Sequence, residues 1–75
     1  MQTLDTLSPG DRAVISLLEL DDDALRRLSA FGLMQGETLS VKRIAPLGGP
    51  FVLQVGTTSV MIRRHLARQI RVTPL

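Results

Sequence analysis

RIAPLGGPFVLQV, residues 43–55, places two prolines and two glycines between two apolar strand ends. Proline suits the start or edge of a strand, where no ladder N–H is required. Gly48-Gly49 permits a tight reversal, and the flanking prolines stiffen it. The segment reads as a hairpin: a strand from Thr38 to Ala45, a rigid turn tipped by Leu47, and a strand from Phe51 to Val55. In the first strand Leu39, Val41 and Arg43 alternate against Ser40, Lys42 and Ile44. In the second, Phe51, Leu53 and Val55 form an inner face with Gln54 outside.

Upstream, Ser8-Pro9-Gly10-Asp11 predicts a type II turn, with proline at the first central position and glycine at the second. The strand from Arg12 to Leu18 follows. Ala13, Ile15 and Leu17 share one face, but Val14 and Leu18 make the alternation imperfect. Asp21-Asp22-Asp23 opens a helix, because carboxylates accept the free N–H groups of a first turn and oppose the positive end of its dipole. Ala24, Leu25, Leu28 and Phe31 fall on its inner side; Arg26, Arg27 and Ala30 fall outside. Gly32 occupies the position of a left-handed helix stop, with Leu33 folding back on Leu28. Met34-Gln35-Gly36-Glu37 is a second glycine turn. LSPGDRAVI and LMQGETLSV echo one another, and the echo is read as recurring turn chemistry, not as a repeat architecture.

Downstream, Gly56-Thr57-Thr58 turns the chain into a strand from Ser59 to Ile62. Arg63 to Gln69 is one or two helical turns, with Leu66 and Ile70 on one side. Ile70 to Thr73 is the closing strand, ended by Pro74. Short strands at this spacing hide their edges by closing on themselves. The predicted fold is mainly β: a small, partly open, SH3-like five-stranded barrel with one α-helix between the first two strands and a short helical turn before the last. Residues 1–75 form a single domain in this reading.

Composition narrows the function. A 75-residue chain with 44% apolar residues supports one small core, burying roughly 60% of the surface its unfolded chain exposes. With no cysteine, disulfides and thiolate metal sites are excluded. No apolar run approaches the ~18 residues of a membrane span, so no membrane insertion is expected. The N-terminal MQTLDTLSPGD carries no signal-peptide pattern, and the lack of cysteine suits a reducing cytoplasm.

The chemistry-bearing residues are few. Asp21, Asp22 and Asp23 point about 100° apart around a helix and do not converge on one ion. His65 is the only histidine, and no ligand cluster accompanies it. No metal site and no cofactor are expected. No nucleophile–base pair and no phosphate-binding glycine loop is present, so the chain is not an enzyme. Arg63, Arg64, Arg68 and Arg71, with Lys42 and Arg43, could form a basic face. An SH3-like barrel that binds nucleic acid through that face is the alternative reading. It is disfavoured because such barrels offer stacking aromatics, and both phenylalanines are assigned to the core.

The order Leu28, Phe31-Gly32-Leu33, Gly36, then Ala45-Pro46-Leu47-Gly48-Gly49-Pro50, with Ile62-Arg63, Ala67, Ile70 and Val72 in the closing segment, resembles the bacterial ferrous iron transport protein A (FeoA) family. The likeness runs from about Leu7 to Val72. Gln35 departs from the family's usual proline, and Gly49 from its common aspartate. The resemblance implies a small non-catalytic adaptor or regulator of ferrous iron uptake. It implies contact with the ferrous iron permease, ferrous iron transport protein B, a membrane protein with an N-terminal GTPase domain; this places the chain in the cytoplasm, at most peripheral to the inner membrane through that partner. The same module occurs as the C-terminal domain of iron-dependent repressors. "Transition metal ion binding" is a family term for which these residues supply no ligand set. The candidate partner-binding residues are Pro46, Leu47, Gly48, Gly49 and Pro50, with Arg63 and Arg64.

Overall fold

The computed structural model describes residues 2–75. In chain order it contains β1 (Gln2–Thr3), a 3-10 turn (Leu4–Thr6), β2 (Arg12–Leu18), α1 (Asp22–Ala30), β3 (Thr38–Ile44), β4 (Phe51–Val55), β5 (Thr58–Ile62), α2 (Arg64–Ala67) and β6 (Ile70–Pro74). The strands form one antiparallel sheet in the order β1-β6-β2-β3-β4-β5. Strands β2 to β6 send their inner side chains into one apolar cluster, joined by Leu4 and Leu7. The end strands β1 and β5 do not pair, so the SH3-like barrel stays partly open.

The expected count of five strands is corrected to six. Gln2 and Thr3 pair with Val72 and Arg71 of β6, and Leu4, just beyond them, is completely buried. A two-residue polar strand has no hydrophobic alternation to reveal it. Only the position of β6 creates it.

The echo between the two glycine turns is a structural symmetry. Gly10 and Gly36 both have left-handed φ, +92° and +91°. The N–H of Gly10 donates to the Val41 carbonyl (2.8 Å), and the N–H of Val41 donates back to the Asp11 carbonyl (2.9 Å). At the matching places, Gly36 donates to Ile15 (2.8 Å) and Ile15 donates to Glu37 (2.9 Å). Between these rings β2 and β3 pair with Ala13 opposite Leu39, flanked by Arg12–Ser40 and Val14–Thr38. The Ala13–Leu39 pair marks an approximate two-fold axis.

The symmetry extends to the outer ladders. The register of β2 on β6 shifts between Ile15 and Leu17, and that of β3 on β4 shifts between Val41 and Arg43. Each shift is a bulge, which inserts one residue and reverses the inside–outside sense beyond it. Ala13 and Ile15 are buried, then Leu17 is exposed and Leu18 packs against the core. Leu39 and Val41 are buried, then Arg43 is exposed and Ile44 packs inward. Leu17 and Arg43 therefore leave the inner faces to which simple alternation assigned them. The imperfect alternation of β2 is the trace of its bulge.

Helix α1 starts as its acids predict: the Asp21 side chain accepts from the Ala24 N–H at 2.8 Å. It ends in a Schellman pair, with Leu33 N–H donating to the Leu28 carbonyl and Gly32 N–H to that of Ser29, both at 3.0 Å. Gly32 has φ +88°, and a Cβ placed there would lie 3.5 Å from Val55 Cγ1, which sets the helix end against the end of β4. Phe31 is a correction. It was assigned to the core but is 51% exposed, because the chain reverses at Gly32 and Leu33 is the residue buried beneath the last turn. Among the described residues every buried side chain is apolar.

The symmetry yields a paired expectation. No atom lies within 4 Å of a Cβ added at Gly10 or Gly36, so Gly10→Ala and Gly36→Ala meet backbone strain alone. Each variant should lose about 1 kcal/mol in urea unfolding, with the two values alike. Unchanged midpoints would refute the strain assignment.

Candidate docking surface around the Leu47 turn

The connection between β3 and β4 is a closed hairpin end. Ala45 N–H donates to the Pro50 carbonyl at 2.9 Å, and Gly49 N–H donates to the Pro46 carbonyl at 3.2 Å. The central residues are Leu47 (φ +61°) and Gly48 (φ +73°). Two positive φ values at these positions are the mark of a type I′ turn, whose twist matches that of the flanking strands. The first central position of such a turn is usually asparagine, aspartate or glycine. A leucine there costs roughly 1–2 kcal/mol of backbone strain. Leu47 is the only non-glycine residue with positive φ among the described residues, and its side chain is fully exposed, at 104%.

Gly49 answers a different demand. A Cβ at this position would lie 2.6 Å from the Ala45 Cβ and 3.1 Å from the Pro46 carbonyl. The two arms of the hairpin are too close for any side chain. The aspartate common in the resembled family at this place does not fit this backbone.

Beside the turn lies a shallow concavity of about 400 Å³, formed by residues 48–50 and by Arg63, Arg64, His65 and Arg68. Arg64 joins the two sides. Its guanidinium carbon stands 4.9 Å from the centroid of the Phe51 ring, and its Nε lies 3.8 Å from where a Gly48 Cβ would be. That Nε is buried and has no hydrogen-bond partner. The Phe51 ring face offsets part of the cost through a cation–π contact.

Of the predicted site residues, Gly48, Gly49 and Pro50 line this concavity with Arg63 and Arg64, and Pro46 and Leu47 adjoin it in the turn. His65 and Arg68, not assigned as partner-binding from sequence, line the same concavity. The i, i+4 spacing of Arg64 and Arg68 on a helical turn was the available signal. The wider basic face divides. Arg71 pairs with Glu19 on another part of the surface, and Lys42 and Arg43 do not line the concavity. Asp21 is committed to capping α1. No group of three or more His, Cys, Asp or Glu able to hold a metal converges among the described residues. His65 sits among arginines, a field that opposes a cation. A larger concavity, about 620 Å³, lies between α1 and the Met34 turn, with Leu18, Leu25, Leu33 and Met34 in its lining. It holds no strained residue, and its arginine, Arg26, pairs with Asp23 at 3.1 Å.

A family model described as "FeoA domain" matches residues 2–74. No curated protein sequence matches the chain. The solution structure of FeoA from Chlorobium tepidum is 35% identical and superimposes with a TM-score of 0.92, covering 99% of this chain and 70% of that one. The crystal structure of Stenotrophomonas maltophilia FeoA, complexed with zinc and described as a prokaryotic SH3-domain protein put forward as a ferrous iron transport activating factor, is 32% identical with a TM-score of 0.78; the match covers 97% of this chain and 91% of that one. The fold is shared more widely. MtsR, a metal-dependent transcriptional regulator, matches at 23% identity with a TM-score of 0.86 over 99% of this chain and 34% of its own.

The strain at Leu47 can be released without touching the core. Leu47→Asn places at this φ a residue that tolerates it. The variant should be more stable than the parent by about 1 kcal/mol in thermal or urea unfolding. Equal or lower stability would show that the leucine is not strained.

Proposed function

The chain belongs to the FeoA domain family of small, non-catalytic proteins associated with ferrous iron transport, and we propose from this that it is an adaptor that docks on the cytoplasmic part of the ferrous iron permease through the Leu47 turn. The observation that carries the proposal is Leu47 itself. A large apolar side chain stands fully in water on a backbone that disfavours it. Strain of this kind persists where surrounding structure enforces it, and it clusters at ligand clamps and switch regions. Here Pro46, Pro50 and the close approach of Gly49 to Ala45 enforce it. The turn is preorganised, so docking costs little ordering entropy. Arg63 and Arg64 lie beside it and add electrostatic steering toward an acidic surface. The adaptor works in the cytoplasm, at the inner membrane only through its partner.

Nucleic-acid binding is less well supported. Phe51 is covered by Arg64, so the basic concavity offers no open ring for a base to stack on. Half-exposed Phe31 is not among its lining residues.

Leu47→Asp should fold as the parent does, because the side chain has no core contacts to lose. If the leucine enters an apolar socket, binding to the isolated cytoplasmic domain of the permease should weaken by about 1–3 kcal/mol in calorimetry. Binding equal to the parent's would reduce the turn to a purely structural role.

A further inference from the structure

We propose that the concavity beside the Leu47 turn is an oxyanion pocket that receives a carboxylate of the docking partner, so that the partner presents an acidic side chain next to the socket for Leu47. This rests on the docking reading above and adds the chemistry of the surface that docks.

Three guanidinium groups border one small concavity. Of these three, only Arg68 has a carboxylate within reach among the described residues, Asp5 at 3.9 Å; Arg63 and Arg64 have none. Like charges gathered this closely repel, and an entering anion converts repulsion into attraction. Arg64 is also held ready. Its stem and guanidinium are pinned between the Phe51 ring and the backbone at Gly48, so its planar donor array loses little freedom on binding. That geometry suits the two parallel hydrogen bonds of a guanidinium–carboxylate pair.

The neighbouring leucine selects the source of the anion. Free phosphate would fill the concavity and leave Leu47 in water. A lipid surface could take both groups, its phosphates included, but one leucine is a weak anchor: stable membrane attachment needs two strong signals. A protein surface with an acid beside an apolar socket satisfies Leu47 and the arginines together.

The test has two arms. In the first, nitrogen-15 labelled protein is titrated at constant ionic strength with a penta-glutamate peptide, with inorganic phosphate, with chloride, and with vesicles containing one-third anionic lipid. The peptide should shift the Arg64 Nε–H and Gly48 amide signals saturably, and chloride should not. The exposed pair R63Q/R68Q should keep the parent's spectrum elsewhere and bind the peptide at least tenfold more weakly. No saturable shift, phosphate binding tenfold tighter than the peptide, or capture by vesicles in place of peptide binding would each overturn the proposal. In the second arm, binding to the permease's cytoplasmic domain is measured across a salt series. R63Q/R68Q should weaken it at least tenfold and flatten its salt dependence, whereas Leu47→Asn, which removes the apolar side chain without adding a charge, should weaken it with the salt slope unchanged. If R63Q/R68Q binds as the parent does while Leu47→Asn does not, docking stands and the carboxylate pocket falls. If the peptide binds as expected and neither variant alters permease binding, the pocket stands and the docking reading falls.

Discussion

Ile15 and Val41 each exchange two backbone hydrogen bonds with the glycine turn that begins the other's strand, and this reciprocal clasp is the constraint on which the remaining architecture hangs. It holds the Ser8–Asp11 and Met34–Glu37 turns against the β2–β3 pair and fixes the register with Ala13 opposite Leu39. Immediately beyond each clasp the outer ladder takes a bulge. Bulges bend a strand and raise its twist, so two of them, at matching places on adjacent central strands, curl the sheet from both sides. Strands β2 to β6 thereby surround one apolar cluster, and the six-stranded sheet stays short of a closed ladder.

Among the described residues every buried side chain is apolar, so the polar and charged groups lie at the surface. The turns differ in what they demand of the backbone. Gly10 and Gly36 are positions where glycine relieves strain. Leu47 is a position where strain is retained although asparagine or glycine would remove it. The neighbours explain how it is retained: the I′ geometry matches the twist of β3 and β4, and Gly49 brings the hairpin arms to a separation that no other residue permits. A stiff, slightly costly loop tip is the result, and this retained strain is what the docking proposal rests on.

Arg64 couples this turn to the β5–α2 junction. By lying on Phe51 and against Gly48 it makes one surface of two segments separated in the chain by two strands, β4 and β5. The basic concavity therefore offers no open aromatic ring, because the aromatic nearest to it is covered by an arginine of the same chain. Electrostatics here is a matter of placement. The net charge is only +2, but three cations share one concavity while Arg71, equally charged, is neutralised by Glu19 elsewhere.

Much of the fold was legible in residues 8–37 because the signals there are local. The Pro-Gly turn, the Asp21 cap, the glycine stop at Gly32 and the return of Leu33 are each decided within about four residues, by backbone φ and by the free N–H and C=O groups of a helix end. The hairpin around residues 46–50 was legible for the same reason. The bulges were not, since a bulge is a relation between two strands, and sequence alternation records only one of them. Leu17 and Arg43 were therefore turned to the wrong face, and the Gln2–Thr3 strand was missed. Phe31 was misplaced because helical spacing continues on paper past the residue at which the chain reverses. At the candidate site, the amino-acid sequence by itself determined that a rigid turn tipped by leucine exists and that arginines follow β5. Only the tertiary structure decided that Leu47 is strained and which arginines stand beside it. Strain depends on φ values imposed by the hairpin's close approach, and a charge cluster depends on segments that meet only after the sheet has curled.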